Sequence, residues 1–334
     1  MGSAKRLNPA SSDAEAGAIA AAGRFVYVAW VTGTHAANDY DPAAPRHIRV
    51  RVNTNHGASN AWQTAKKFEA PERTGRPSIA AWGSRVYVAY TDADTGNIYV
   101  ATNNGVNSED IGWLAGQAGV TTRSSTIDGD GFEGTPVVAA SGANVLVAWL
   151  DSDDGTIKAR ISTDHGHTWP DPAIDLATGQ AYGMSAAADA TRLALAWAAP
   201  DGIRSRVFRD DTWKATHKLA SFSSTGAYRN GYGTSVALAG SSRLGVAWSA
   251  CTRANCAGSS AQGVNVRWRE SANNGSSWKP SVTIASHGAG SDRRINDYPS
   301  ALMPDSSHRL ITYNTAARNF STYRLVIERG SGKP

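Results

Sequence analysis

The sequence of 334 residues predicts an all-β fold, and three observations carry this prediction. A short apolar phrase that ends in Trp or Tyr occurs six times, at intervals of 48 to 65 residues. Each phrase follows a segment of small residues and precedes a segment in which apolar and polar residues alternate, as they do in strands. Only 18% of the residues are charged and 33 are glycine, which suits short strands and tight turns. Strand-rich repeats of this length predict a six-bladed β-propeller of four-stranded antiparallel blades.

The four strands of a blade are predicted from each repeat in order. The first strand is made of small residues, which suit the crowded innermost position around a central channel; these segments are 78–81, 137–140, 185–188, 235–238 and 300–303. The aromatic-ended phrases are the second strands, at 27–30, 87–90, 146–149, 194–197, 245–248 and 310–313. Period-two alternation marks third strands at 156–162 and 264–268, and an outer fourth strand follows a Trp at 278–284.

The repeats predict one domain over residues 4–330. Its blades are expected at approximately 18–70, 77–127, 135–178, 183–222, 234–287 and 299–329 plus 4–8. Only residues 330–334 follow the last third strand, which is too few for a fourth, whereas residues 4–9 resemble the strand at 65–71. We therefore expect the N-terminal strand to pair in the last blade and close the ring, because closure removes exposed sheet edges. Residues 1–3 read as a cloning remnant.

The bulk composition narrows the classes of partner. The net charge of +5 has two readings, a basic solvated surface or attraction to an acidic partner such as a polyanionic glycan. The Lys and Arg residues are scattered and form no basic run among aromatic residues, so no nucleic-acid partner is expected. No apolar run approaches the ~20 residues of a membrane span, so none is predicted. A monomer is expected.

The two cysteines predict the compartment. Cys251 and Cys256 enclose four residues and lack the further Cys or His partners of a zinc site. A local disulfide that stiffens a loop is expected, which implies an oxidising environment and a secreted or periplasmic protein. A pair of reduced thiols is the alternative.

One motif occurs completely once and with a single replacement a second time. The residues of the complete Ser-x-Asp-x-Gly-x-x-Trp motif are Ser162, Asp164, Gly166 and Trp169, and those of the second copy are Ser271, Asn273, Gly275 and Trp278. Weaker copies lie at 53–62, 102–113 and 209–213. Asp or Asn bonds the backbone of its own turn, Gly permits a positive φ and Trp packs beneath the turn. We expect these residues to be structural, in the hairpin between the third and fourth strands.

This motif resembles the Asp-box, or bacterial neuraminidase repeat, of the sialidase-like propellers, and the resemblance spans nearly the whole chain. It implies that the motif turns lie on the face away from the active site. The opposite face carries the second-to-third-strand loops and the blade-to-blade connections, and it holds the unusual residues of this sequence. Long loops on a rigid scaffold commonly carry function, although an ordinary solvated rim is the alternative for any single residue.

The resemblance also implies roles for residues on that opposite face. Sialidases use three arginines that clamp the sugar carboxylate, a Tyr nucleophile assisted by a Glu, and an Asp acid/base. The segment 297–305 resembles the one that contains the nucleophile, with Tyr298 in its place. The catalytic candidates are therefore Tyr298, Asp92 and Glu133; Asp94 and Glu72 are their alternatives. The candidates for substrate binding are Arg76, Arg229, Arg293, Arg294, Tyr228, Tyr232, His35 and Tyr40.

Metal sites are weakly indicated. The segment 128–131 resembles half of a calcium loop, but position 139, where an EF-hand needs Glu, is Ala. No cofactor is expected; a calcium ion on this surface loop, or a metal at His165 and His167, is the open alternative.

Three functions compete. The first is a secreted carbohydrate-active enzyme that cleaves an acidic or neutral glycan at the loop-rich face, as a glycosidase or a polysaccharide lyase, since the fold alone does not choose between them. The second is a non-catalytic glycan-binding or adhesion propeller. The third is a protein-interaction platform. Arg, Tyr, Asp and Glu concentrated in connections on one face favour the first.

Overall fold

The computed structural model describes residues 7, 13–33, 46–68, 74–92, 95–103, 136–151, 155–170, 172–177, 182–222, 233–251, 264–286, 294–317 and 323–331. These residues form 23 β-strands, and none of them is helical. Within this described part, no helix could therefore cross a membrane. The chain divides into two compact units, Met1–Thr178 and Gly179–Pro334, and each is treated by itself.

The N-terminal unit contains three antiparallel sheets. Their strands are β1 (Asp13–Ala22), β2 (Phe25–Gly33), β3 (Arg46–Asn53) and β4 (Lys66–Lys67) in the first sheet; β5 (Ser78–Trp82), β6 (Arg85–Thr91) and β7 (Ile98–Thr102) in the second; and β8 (Val137–Ser141), β9 (Asn144–Asp151), β10 (Thr156–Ser162) and β11 (Ile174–Ala177) in the third. In each sheet the strands lie in chain order. A fourth strand of the second sheet would fall in residues 104–135, outside the described part.

The C-terminal unit contains a five-stranded and a seven-stranded sheet. Their strands are β12 (Tyr182–Ala188), β13 (Leu193–Ala199), β14 (Gly202–Arg209), β15 (Thr212–Trp213) and β16 (His217–Ser221) in the first; and β17 (Thr234–Ala239), β18 (Arg243–Cys251), β19 (Val264–Ser271), β20 (Val282–Ala285), β21 (Arg294–Leu302), β22 (His308–Ala317) and β23 (Tyr323–Ser331) in the second. A single parallel pair, Val264 with Ile295, joins β19 to β21. All other pairings in the seven-stranded sheet are antiparallel.

The aromatic-ended phrases are buried second strands, as the sequence predicts. In β9 the residues from Val145 to Trp149 are at most 1% exposed, and all of β13 is buried. Such strands have neighbours on both edges and both faces, so they read as continuous apolar runs rather than as alternating ones. Burial of these aromatic and branched side chains is the main stabilising contribution to each sheet.

The first strands of successive sheets pack beside one another within each unit: β1, β5 and β8 in one, and β12, β17 and β21 in the other. A serine in one strand accepts a hydrogen bond from a backbone N–H of the next. Ser78 Oγ accepts from Val138 at 3.1 Å, Ser185 from Val236 at 2.9 Å and Ser235 from Ala301 at 2.9 Å. Because the backbones approach within reach of a serine hydroxyl, only small side chains fit, which explains the composition of these strands.

The apolar core lies between successive sheets. One cluster joins the first two sheets around Tyr27, Ile48 and Val88. A second joins Val100 of the second sheet to Trp149 of the third, and a third joins Val207 of β14 to Trp248 of β18. Within each unit, neighbouring sheets therefore bury the faces that they turn toward each other.

The all-β class and the four-stranded antiparallel sheets agree with the sequence prediction. The placing of the first, second and third strands also agrees, to within a few residues, wherever they are described, except for the first strand predicted at 300–303. That strand is β21, which begins six residues earlier, at Arg294. The outer strand predicted at 278–284 is shorter and begins at Val282. Of the N-terminal strand predicted at 4–8, only Leu7 is described.

Candidate functional site

Each sheet has two ends. We call the end where the second strand finishes and the third begins the loop side; in the second sheet its described residues are 74–77, 91–92 and 95–97. We call the opposite end, where the third strand passes into the fourth, the turn side; it includes residues 162–169 and 271–278. The catalytic candidates are predicted on the loop side and the motif turns on the turn side.

The loop side of the second sheet brings Arg76 and Asp92 to the same end. Thr74 forms an isolated antiparallel bridge with Asp92, and the Gly75 N–H donates to the Thr91 carbonyl at 3.1 Å. The Thr74 hydroxyl, buried at 2% exposure, is 3.2 Å from the same carbonyl oxygen. These bonds hold the segment that carries Arg76 against the end of β6, two residues from the bridge.

Asp92 lies in a compact, self-bonded turn. Its N–H donates to the Asn97 carbonyl at 2.9 Å, its carbonyl accepts from the Gly96 N–H at 2.8 Å, and its Oδ2 accepts from the Thr95 hydroxyl at 2.9 Å. The backbone of the candidate acid/base is thereby fixed, while its side chain remains half-buried. A carboxylate in this position could transfer a proton, and the guanidinium of Arg76 on the neighbouring segment could hold an anion.

Tyr90 lies under this turn at the end of β6. Its ring stacks on Tyr99, with centroids 5.7 Å apart, and meets Phe68 edge-on at 5.9 Å. Burial, followed by the nearby Tyr99 and the Asp92 carboxylate, holds the pKa of the Tyr90 phenol well above its usual range. Tyr90 therefore keeps its proton at neutral pH and supports the turn as a neutral group.

The third sheet carries the position-equivalent of Asp92, and there the carboxylate has a different partner. Asp92 and Asp151 each lie two residues after the aromatic residue of their second strand. The residue paired with Trp149 is Lys158, whose Nζ is 2.6 Å from Asp151 Oδ2. The residue paired with Tyr90 is Tyr99. The two positions therefore differ in the residue across the strand, a tyrosine in the second sheet and a lysine in the third.

In the C-terminal unit, the five-stranded sheet ends in a short turn in place of a loop. Asp201 accepts both guanidinium N–H groups of Arg204 at 2.6 and 2.8 Å and the Lys218 ammonium at 2.9 Å. The hydrogen bonds from Arg204 and then Lys218 hold the pKa of Asp201 well below its ordinary value. This carboxylate is engaged on both oxygens, so it is poorly suited to accept a proton in catalysis.

The remaining loop-side candidates are only partly described. Arg294 begins β21 and Tyr298 lies in the middle of it, at the register shift between Asp297 and Ser300; of their side chains nothing is described. Seven candidates lie outside the described residues: His35, Tyr40, Glu133, Tyr228, Arg229, Tyr232 and Arg293. The alternatives Glu72 and Asp94, and the segment 128–131 that resembles half of a calcium loop, lie outside them too. Their convergence on one site stays a prediction.

The disulfide and the metal sites considered from the sequence are also only partly described. Cys251 ends β18, and Cys256 lies outside the described residues, so their disulfide stays a prediction. Among the described residues, no group of three or more His, Cys, Asp or Glu side chains is arranged to hold a metal ion.

The complete motif forms a tight turn between β10 and β11. The Ser162 hydroxyl donates to Asp164 Oδ1 at 2.6 Å and accepts from the Gly166 N–H at 2.8 Å. Asp164 also accepts from the N–H groups of His167 and Thr168 and from the Thr168 hydroxyl, at 2.6 to 3.1 Å. These bonds, led by the one from Ser162, hold the pKa of Asp164 well below its ordinary value. The carboxylate is used by its own turn.

The backbone of this turn requires its glycine. His165 and Gly166 have φ of 63° and 79°, which places both in the left-handed region. A Cβ on Gly166 would lie 3.6 Å from the Trp169 ring and 3.7 Å from the Tyr87 ring. Trp169 therefore lies beneath the turn, and Tyr87 of the neighbouring sheet fills the space beside it. Burial raises the pKa of the Tyr87 phenol to about 12.

The second copy of the motif, between β19 and β20, has the same bonding with Asn in place of Asp. Ser271 Oγ accepts from the Gly275 N–H at 2.9 Å, and Asn273 Oδ1 accepts from the Ser277 N–H at 2.8 Å. The Asn273 amide donates to the Ser277 hydroxyl at 2.8 Å. Asn274 and Gly275 have φ of 58° and 83°. The weaker copy at 53–62 uses Asn53 Oδ1 where the others use a serine hydroxyl, accepting from Gly57 at 2.8 Å.

A cavity of about 280 Å³ lies beside the second turn and within the C-terminal unit. Its walls come from β14 and the segment after it on one side and from residues 274–278 on the other. Sequence analysis did not find this cavity, because it depends on the packing of two sheets against each other. In the described part of the chain, this cavity is the candidate binding site outside the loop side.

An arginine that recurs at one position of the third strands also has a structural role that the sequence did not predict. Arg51, Arg206 and Arg269 occupy the same register position of their third strands. The Nε of each donates to the carbonyl of the residue after the motif-position Trp, namely Gln63, Lys214 and Lys279, at 2.5 to 2.8 Å. Two of them reach further, Arg51 to the Leu7 carbonyl at 3.0 Å and Arg269 to the Leu219 carbonyl at 2.5 Å. An alternating strand predicts such residues as solvated, whereas here they tie the hairpin to the third strand.

The comparisons with known proteins identify the fold. No protein-family model matches the chain, and no curated protein matches it in sequence. Among solved structures, it is similar to the leech intramolecular trans-sialidase, with a TM-score of 0.58 at 10% identity over 99% of this chain and 70% of that one. It is similar to the Trypanosoma rangeli sialidase, with a TM-score of 0.56 at 13% identity over 95% of this chain and 55% of that one. The Aleuria aurantia lectin gives a TM-score of 0.50 at 14% identity over 97% of both chains. The fold of this protein is thus shared with β-propellers that include glycan-cleaving enzymes and a lectin.

Proposed function

We propose that this protein is a secreted or periplasmic carbohydrate-active enzyme of the sialidase-like kind, which cleaves a glycan at the loop side of its sheets. The observation that carries the proposal is the fixed pair of elements at the end of the second sheet, where the Thr74–Asp92 bridge brings the Arg76 segment beside a carboxylate. The fold shared with sialidases supports it, and so does the motif resembling the Asp-box.

The proposed roles follow from the chemistry of each side chain. Asp92 acts as the acid/base, since its backbone is fixed at the end of β6 beside the segment that carries Arg76. Tyr298, assisted by Glu133, is the proposed nucleophile. Arg76, Arg229 and either Arg293 or Arg294 hold the acidic group of the substrate, because a guanidinium fork matches a carboxylate. No cofactor takes part in the proposed reaction.

The direct test is turnover of fluorogenic glycosides, with sialosides and neutral glycosides in one panel and polyuronates in a second that detects lyase products. We expect cleavage of at least one substrate, and a loss of about a hundredfold or more in Asp92→Asn. Asp151→Asn is the matched control, since it changes the equivalent carboxylate of the next sheet and should leave turnover within about twofold. No turnover on either panel, or equal losses in both variants, would overturn the assignment.

A non-catalytic glycan-binding propeller is the second candidate. The observation that favours it is the cavity between two sheets of the C-terminal unit, because a lectin needs binding pockets and no catalytic group. Binding to a glycan array without turnover on either panel would support this function over the first.

We propose further that the chain forms six blades and that residues 4–8 complete the last one. Leu219 lies on the outer strand of the sheet that precedes Arg269, and the Leu7 carbonyl accepts from Arg51 in the way that the Leu219 carbonyl accepts from Arg269. By this equivalence, Leu7 takes the place of an outer strand beside the first sheet. Deletion of residues 1–8 should lower the thermal midpoint by several degrees, whereas deletion of residues 1–3 should leave it unchanged.

A further inference from the structure

The cavity in the C-terminal unit is lined by side chains that point the same way from paired strands. Ser205, Val207 and Arg209 alternate along β14, and Ser205 pairs with His217 of β16, so all four face one side of the sheet. On this side, Val207 and Leu219 share a core cluster with β18, which shows that the next sheet covers the same face. Near the turn, the two sheets separate and leave the cavity.

The buried hydroxyl of Ser205, at the wall of the cavity, has no described hydrogen-bond partner. Ser205 lines the cavity and is 1% exposed, yet its Oγ has no hydrogen-bond partner among the described residues. The indole N–H of Trp278, which also lines the cavity, has no described partner either, a state that it shares with six other tryptophans of the described part. Buried polar atoms are nearly always hydrogen-bonded, so the unpartnered Ser205 hydroxyl indicates a polar occupant of the cavity.

The charge of the cavity wall indicates the sign of that occupant. Three cationic residues, Arg206, Arg209 and Lys214, line it together with His217, whereas no Asp or Glu is among the lining residues. Asp210 lies beside the cavity, where one of its oxygens is shared between Lys214 at 3.3 Å and Arg209 at 3.6 Å. Three cations and one carboxylate leave the wall positive and suited to an anion.

The volume and the donors together define a ligand class. A cavity of about 280 Å³ is at the small end of ligand pockets, large enough for a single sugar ring and too small for an oligosaccharide. Hydroxyl and indole groups suit sugar hydroxyls, and the cations suit a carboxylate. We propose that this cavity binds one carboxylate-bearing sugar residue, a uronate, at a site in the C-terminal unit that is separate from the loop-side residues of the N-terminal unit.

The site would hold an acidic glycan and would take no part in bond cleavage. Because its residues belong to the turn side, this inference stands whether the loop side is catalytic or not. An enzyme with such a site would show an affinity for acidic chains that survives loss of turnover.

The test is calorimetric titration of the full chain with D-glucuronate, with D-glucose as the neutral probe and sulfate as the simple anion. We expect saturable binding of glucuronate at one site and at least tenfold weaker binding of both other probes. Lys214→Gln should weaken glucuronate binding by about tenfold, and Ala215→Phe should abolish it, because Ala215 lines the cavity and the larger ring would occupy it. No saturable binding of glucuronate would overturn the proposal.

Matched variants locate the site and separate it from the proposed function. Lys218→Gln removes a cation from the opposite face of β16, where Lys218 bonds Asp201, and should leave glucuronate binding unchanged. Asp92→Asn should also leave it unchanged while it removes turnover. If glucose bound as tightly as glucuronate, the role of the cations would be contradicted. If sulfate bound as tightly, the cavity would be a simple anion site and the sugar assignment would be wrong. Equal losses of glucuronate binding in Lys214→Gln and Lys218→Gln would place the binding site elsewhere.

Discussion

The two motif turns, 162–169 and 271–278, share one backbone plan and differ in what lies beside them. In both, a buried serine bonds a glycine N–H with positive φ, and a Trp lies below. The first turn has a carboxylate at its centre, and Tyr87 packs against it; the second has an amide, and beside it lies a cavity that contains the unpartnered Ser205. One motif can thus close a hairpin in two different surroundings, with an aromatic ring of the neighbouring sheet beside one copy and a cavity beside the other.

The largest effect that separates the turns is expected from removing their tryptophans. Trp169→Ala should lower the free energy of unfolding by about 3 kcal/mol, since the ring is packed between its turn and the neighbouring sheet. Trp278→Ala should cost about 1 kcal/mol less, because one side of that ring already borders the cavity. Chemical denaturation of both variants measures this difference. A larger loss for Trp278→Ala would mean that the cavity is not a gap in the packing.

The glycines should show the opposite order. Gly166→Ala and Gly275→Ala both impose a left-handed conformation on a residue with a Cβ, at about 1 kcal/mol. In the second turn the new Cβ would also lie 3.2 Å from Leu244 Cδ2, whereas in the first its nearest neighbour is 3.6 Å away. We therefore expect Gly275→Ala to cost about 2 kcal/mol and Gly166→Ala about 1, by the same denaturation measurement. Equal losses would mean that Leu244 moves aside freely.

Two buried serines offer a sharper contrast. Ser162→Ala removes the acceptor of the Gly166 N–H and the donor to Asp164, and should cost about 2 kcal/mol. Ser205→Ala removes a hydroxyl that has no described partner, so the unliganded protein should be unchanged or stabilised by up to about 0.5 kcal/mol. The same variant should weaken glucuronate binding. A clear loss of stability in Ser205→Ala without a change in binding would give that hydroxyl a structural role instead.

The smallest expected effect is on the stability of the protein at acidic pH. Because the folded-state pKa of Asp164 is depressed, its contribution to stability is complete above the unfolded value of about 3.9 and is lost as the pH falls through the folded value. Stability should therefore fall less steeply below pH ~4 in Asp164→Asn than in the wild type. Asn273→Asp should steepen the same limb, since the Ser277 hydroxyl can turn to donate to the new carboxylate. Parallel acid profiles for all three proteins would contradict this.

Much of the fold could be predicted from local pattern. The Tyr-Val-Ala-Trp phrase at 27–30 and its copies predict buried strands because such residues stabilise a sheet only when both faces are covered. Ser162, Asp164 and Gly166 predict a turn because each has a short-range bonding role that needs no distant partner. The features that escaped prediction depend on neighbours far along the chain. Arg269 reads as a solvated residue until the Leu219 carbonyl is placed 2.5 Å from its guanidinium.

The candidate site is predicted less completely for the same reason. The sequence pointed to Arg76 and Asp92 by residue type and by the side of the sheet they occupy, and the Thr74–Asp92 bridge now places both at one end of one sheet. The local sequence does not distinguish Asp92 from Asp151. The two positions differ in the residue on the neighbouring strand, which is Tyr99 in the second sheet and Lys158 in the third. The cavity beside Ser205 had no sequence signal, because an unpartnered hydroxyl is recognised only once its surroundings are known.

The most direct test of the central claim, that the loop side handles a glycan, is hydrogen–deuterium exchange with and without the acidic oligosaccharide that binds best on a glycan array. We expect slower exchange in residues 74–77 and 91–97 of the wild type, and loss of that protection in Arg76→Ala. Exchange in the turn at 162–169 should be unchanged, since its N–H groups are bonded within the turn. Protection confined to the turns, or absent from the loop side of the second sheet, would contradict glycan binding at the loop side.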